Sequence, residues 1–113
     1  MTTIWHYTCD HGVDGIRREG VVKPNAHPLL DGLPISWFTN LERCHRFEAG
    51  LTADWITCDR MAYRFEVKAA DSLEWWPRAA RRLRVPRDVR DGLEIGRLPA
   101  HWWVSLQPVA VVT

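Results

Sequence analysis

Side chains two apart on a strand share a face, and Ile4-Trp5-His6-Tyr7-Thr8 shows that alternation at once. Ile4, His6 and Thr8 fall on one side; Trp5 and Tyr7 fall on the other. The pattern predicts a strand over residues 3–8. Asp10 is placed to cap a helix over residues 11–19, with Val13, Ile16 and Gly12 turned inward and Gly20 as its stop. Val21–Lys23 continues as a short extended piece. Residues 24–34 carry three prolines and a glycine, which predicts a loop long enough to act as a lid or binding segment.

Ile35-Ser36-Trp37-Phe38-Thr39 predicts a strand with Ser36 and Phe38 on one face and Ile35, Trp37 and Thr39 on the other. Asn40 or Thr39 is placed to cap a short helix to about Phe47, with Leu41, Cys44 and Phe47 at helical spacing. Residues 48–60 show no clear period. Alternation returns in Ala62–Val67, where Tyr63, Phe65 and Val67 are expected in the core and Arg64, Glu66 and Lys68 in solvent. Pro77 suits the first turn of a helix to about Leu83, which Pro86 breaks. Leu93-Glu94-Ile95 is a very short apolar piece. His101–Leu106 and Val109–Val112, divided by Pro108, predict a final strand or bulged pair. The expected fold is a single α+β domain of about five short strands and two or three short helices.

Composition sharpens this picture at two points. Seven Trp stand against two Tyr and three Phe, more than a chain of 113 residues can bury completely, so one or two are expected to line a groove. The cations are thirteen Arg and two Lys. Net charge is only +1, so the whole molecule is no polyelectrolyte. Arg78, Arg81, Arg82, Arg84, Arg87 and Arg90 nevertheless concentrate in one segment, softened by Asp88 and Asp91, and Arg78, Arg81 and Arg82 lie along one helical face. That run suits nucleic-acid phosphate, although a solvated helix face has the same composition. Cys9, Cys44 and Cys58 have no metal-ligand spacing, so neither zinc nor a disulfide framework is expected. A secretory signal and an apolar run of membrane-spanning length are not seen, which makes a cytoplasmic setting the expectation.

Three places carry candidate chemistry. His6 and Thr8 are either a satisfied core pair, the imidazole on a backbone carbonyl, or the wall of a ligand site. Ser36, Trp37 and Phe38 set a hydroxyl among aromatic rings, which is either packing or a slot for a flat heterocycle. Glu94, read on a strand between two apolar residues, either faces solvent or steadies a developing positive charge.

The order His6-x-Thr8, then a helix with Ile16, then Gly20 and Pro24, resembles the entry of the ADP-ribosyltransferase superfamily. It is similar in particular to the branch with DarT-type toxins and RNA 2′-phosphotransferases. The resemblance implies a small split sheet that binds NAD as substrate. His6 would then hold a ribose hydroxyl and the Tyr7 backbone the nicotinamide carboxamide, with Thr8 beside them. Ser36, Trp37 and Phe38 would line the nicotinamide pocket, and Glu94 would stabilise the ribose as nicotinamide leaves. The family's usual Tyr on the second element is replaced by Trp37 or Phe38. Two classes of function follow: an NAD-dependent transferase modifying a macromolecule, with nucleic acid or protein as acceptor, or a non-catalytic binding module using exposed Trp and the Arg78–Arg90 segment on a protein or nucleic acid.

Overall fold

A computed structural model describes residues 3–41 and 63–112 of the chain. The short helix expected as far as Phe47, the connection over 48–60, Cys44 and Cys58 lie outside the described residues. The fold is α+β, with three α-helices among the described residues against a largely antiparallel sheet.

The amino end behaves as its pattern predicts. Trp5–Thr8 forms β1, and Asp10–Glu19 forms α1. The N-cap is Cys9, one residue before the expected Asp10, and it makes no side-chain capping bond. Val13 and Ile16 are buried. Gly20 ends α1 in the left-handed region, φ 72°, with its N–H on the Ile16 carbonyl; glycine takes that conformation without a Cβ clash. Gly12 faces β1 so closely that an added Cβ would lie 2.5 Å from Thr8 Oγ1. Val21–Val22 then forms β2.

Residues 24–34 are not a free loop. Asn25–His27 forms β3, which turns through a short 3-10 segment into β4, Leu33–Thr39. The two strands pair at Asn25–Ile35, Ala26–Pro34 and His27–Leu33. Asp31 and Gly32 both adopt positive φ, and the Gly32 N–H closes the turn on the His27 carbonyl at 2.9 Å. Three prolines suggest open chain, but Asp-Gly between extended segments builds a tight reversal.

β4 is the centre of the sheet. The remaining elements are β5 (Tyr63–Glu66), β6 (Glu74–Trp75), α2 (Trp76–Arg82), α3 (Arg87–Glu94), β7 (Trp102–Ser105) and β8 (Val109–Ala110). The strand order is β5-β1-β4-β7-β6, with β3 also on β4; β2 and β8 form a separate two-stranded sheet. β7 and β8, expected as one strand or a bulged pair, therefore go to different sheets. A Val67–Val111 bridge joins the two sheets.

Both faces of the sheet are covered. On one, Ile4, Phe38, Phe65 and Val67 pack with Val13 and Ile16 of α1 and with Val22, Val109 and Val111. On the other, Ile35, Trp102 and Val104 pack with Trp76, Ala79 and Ala80 of α2 and Leu93 of α3. The two alanines let α2 lie close against the strands. Phe65 and Val67 are buried and Tyr63 half-buried, with Arg64, Glu66 and Lys68 exposed, as their alternation predicts.

Two glycines of α1, Gly12 and Gly15, give opposite expectations. An added Cβ at Gly15 meets nothing within 4 Å. Gly15→Ala should raise stability by about 0.5–1 kcal/mol through helix propensity. Gly12→Ala should lower it by about 1 kcal/mol, since Thr8 must shift. Urea unfolding of the two variants measures both signs.

Candidate functional site

His6 points to the face occupied by Phe38 and α1; its ring centroid is 5.3 Å from that of Phe38. Its Nδ1 lies 2.8 Å from the Trp37 carbonyl oxygen. β1 and β4 meet in register only at Trp5–Thr39, so this bond ties the strands together one step beyond their ladder. Of the two roles open to His6, the core pair on a backbone carbonyl is the one this geometry displays. The Tyr7 backbone lies in the β1–β5 ladder opposite Arg64, and its hydroxyl donates to the Leu41 carbonyl at 2.8 Å. Thr8 stands against Gly12 of α1.

The mid-chain group divides as its alternation requires. Ser36 is buried and donates to the Ser105 carbonyl at 3.3 Å; Phe38 belongs to the α1-side core. Trp37 points to the opposite face, where three rings surround it: His27 at 5.7 Å, Trp76 at 4.9 Å and Trp102 at 5.8 Å between centroids. No shared slot therefore forms between the Trp37 indole and the His6 imidazole.

Glu94 is not on a strand. It is the last residue of α3, and Leu93-Glu94-Ile95 is a helix end. Its Oε2 accepts from the Trp76 indole N–H at 2.8 Å and from Arg90 Nε at 2.7 Å. Trp76 is completely buried, so its N–H needs an acceptor inside the protein. Glu94 supplies it and in turn holds Arg90, clamping α2 to α3. This places Glu94 on the sheet face away from His6. The Arg97 Nη1 donates to the Leu93 carbonyl at 2.7 Å, satisfying the carboxyl end of the same helix.

The basic segment keeps a run of charge at the surface. Arg78, Arg81, Arg84 and Arg87 are all exposed. The side chains of Arg81, Arg84 and Arg87 have no hydrogen-bond or ion-pair partner among the described residues, and the Arg78 charge acts on Glu74 without a bond to it. Arg82, on the same outer face of α2, is different. Its Nε reaches both Glu74 carboxylate oxygens at 3.1 Å, and its Nη2 reaches Oε1 at 2.7 Å. Hydrogen bonding from Arg82 holds the Glu74 carboxyl below the ordinary 4.5 and raises the Arg82 pKa. This pair sits at a concavity of about 200 Å³ floored by Leu83, Val104 and Leu106. Ligand pockets for drug-sized molecules run to roughly 300–1,000 Å³, so the hollow is too small for a dinucleotide.

Pairing of Arg82 with Glu74 was not legible in the segment, because Glu74 lies on β6 and Arg82 on α2, so no single helical or strand period relates them. Trp76 and Glu94, 18 residues apart, likewise sit on two different helices, so no local period pairs them. Among the described residues, no group of three His, Cys, Asp or Glu is placed to hold a metal ion, and no helix is long and apolar enough to cross a membrane. Comparison with protein-family models, curated proteins and solved structures finds no match.

Removing the Glu94 carboxylate should strand the buried indole N–H. Glu94→Ala is expected to cost about 1–3 kcal/mol in thermal or urea unfolding, and Glu94→Gln less, because its amide oxygen still accepts. Equal stability of Glu94→Ala and the parent protein would contradict the clamp.

Proposed function

We propose that this protein is a nucleic-acid-binding module whose contact surface is the outer side of α2, the turn after it and the start of α3. The observation that carries this reading is the state of its guanidiniums. Arg78, Arg81, Arg84 and Arg87 stand exposed without a bonded carboxylate, while Arg82 and Arg90 are taken up by Glu74 and Glu94. Planar, permanently charged forks suit phosphate oxygens, and contacts to the backbone need no sequence-specific geometry.

Two further features favour a polyanion over a protein partner. Among the described residues the exposed large apolar ones are Leu29, Trp75, Ile95, Leu98 and Val112, and none lies between Arg78 and Arg90. Val85 and Val89 in that stretch turn into the core instead. Protein interfaces draw their affinity from buried apolar or aromatic anchors, which this stretch lacks. The second feature is Arg84, at φ 54° in the left-handed region. A side chain there, at the turn that closes α2, costs on the order of 1 kcal/mol where glycine would cost little, and a use for the guanidinium would offset that cost. Asp88 is the carboxylate in the first turn of α3, where it complements the helix dipole.

Transfer from NAD would require Trp37 at the nicotinamide and His6 and Glu94 at the adjoining ribose, all on one hollow. They lie on two faces of a sheet covered on both sides, so the binding module is the reading adopted.

Fluorescence anisotropy with a labelled 20-nucleotide single strand tests it. The parent protein should bind with affinity that falls as salt rises. The variant with Arg78, Arg81, Arg84 and Arg87 all changed to Ala should lose most binding, its log–log salt slope shallower by roughly 3. Salt-independent binding, or an unchanged slope in the variant, contradicts the proposal. Arg84→Gly is expected to move two properties in opposite directions, raising stability by about 1 kcal/mol while weakening the oligonucleotide complex. Calorimetric melting and anisotropy on the same sample read both.

A further inference from the structure

The arginine surface contains a fifth guanidinium that is held back. Arg78, Arg81 and Arg82 share the outer face of α2, yet only Arg82 is engaged through a two-pronged pair, with both Glu74 oxygens in use. Glu74 reaches it from β6, the edge strand of the sheet, whose register opposite Val104 sets Glu74 on the side of the sheet that α2 covers. The pair is open to water, with side-chain exposures of 53% for Arg82 and 26% for Glu74. An exposed pair of this kind contributes little to stability, so folding alone is a weak reason for it. A carboxylate in this position competes with any phosphate for the same fork.

We infer that Glu74 is an affinity-limiting residue of the nucleic-acid surface: it occupies Arg82 and keeps that guanidinium out of the set that contacts phosphate. The inference rests on the surface proposed above and deepens it. With Glu74 in place the surface offers four guanidiniums. Without the carboxylate it offers five, and both affinity and salt dependence rise. Glu74 thereby keeps binding weak and reversible, and any interaction that draws its carboxylate away strengthens the complex.

The competition has a consequence that simple repulsion between Glu74 and phosphate lacks. If Glu74 acts through Arg82, removing Glu74 helps only while Arg82 is present. Four proteins are therefore compared by anisotropy with the same 20-nucleotide strand across a salt series: the parent, Glu74→Ala, Arg82→Ala and the double variant. Glu74→Ala should bind about three- to tenfold more tightly, with a slope steeper by roughly 0.7, one additional phosphate contact. Arg82→Ala should match the parent in slope, and the double variant should show none of the gain of Glu74→Ala. Melting temperatures within about 5 °C of the parent confirm that each variant is folded; Glu74→Gln is the milder replacement should Glu74→Ala melt lower.

A gain that persists in the double variant overturns the inference in favour of plain repulsion. Parent-like binding by Glu74→Ala overturns it outright while leaving the four-arginine surface standing. Failure of that surface is read separately, as an unchanged slope in the fourfold Arg→Ala variant.

Discussion

Burial on both faces of β4 is the constraint on which the rest of this structure depends. A strand places neighbouring side chains on opposite sides, and here each side meets its own core. Phe38 belongs to the core under α1, and Ile35 to the core under α2 and α3. A one-residue slip would exchange the two sets and ruin both. The same rule governs the candidate chemistry. Trp37 and Phe38 are adjacent in the chain yet serve different cores, and His6 follows Phe38 while Glu94 follows Trp76. Polar groups that look like one catalytic set in sequence are thereby divided between two structural jobs.

Those jobs are specific. His6 extends the contact between β1 and β4 past their single paired position. Glu94 accepts from a buried indole and fixes one guanidinium. Glu74 fixes another. Both carboxylates face into helix packing or a strand edge, and the arginines they do not reach lie outermost on the α2–α3 segment. A net charge of +1 conceals this, because the charge that matters is local and is defined by which pairs have closed.

Much of the fold was legible in the chain. Alternation placed Phe65 and Val67 in the core, with Tyr63 half-buried at its edge, and the glycine at position 20 marked the stop that its φ of 72° displays. The two-faced character of Ile35–Thr39 was also readable. The β3–β4 hairpin was not, because three prolines argued for open chain and outweighed the Asp31-Gly32 turn. Leu93-Glu94-Ile95 is too short to show a period by itself. Val89 and Leu93 at i, i+4 carried the helical signal, and both pack in the α2–α3 core. The separation of β7 from β8, and the Glu94–Trp76 and Glu74–Arg82 pairs, are long-range choices that no local pattern encodes. The exposed arginines were visible in the sequence, but which of them stay unpaired is a tertiary fact.

Backbone amide spectra recorded by NMR during titration with a short single-stranded oligonucleotide test the central claim most directly. The account predicts salt-sensitive shifts concentrated over residues 78–90, with those of residues 6–8 and 36–38 unmoved. Shifts centred on His6, Thr8 and Phe38, or no shifts at low salt, would contradict it.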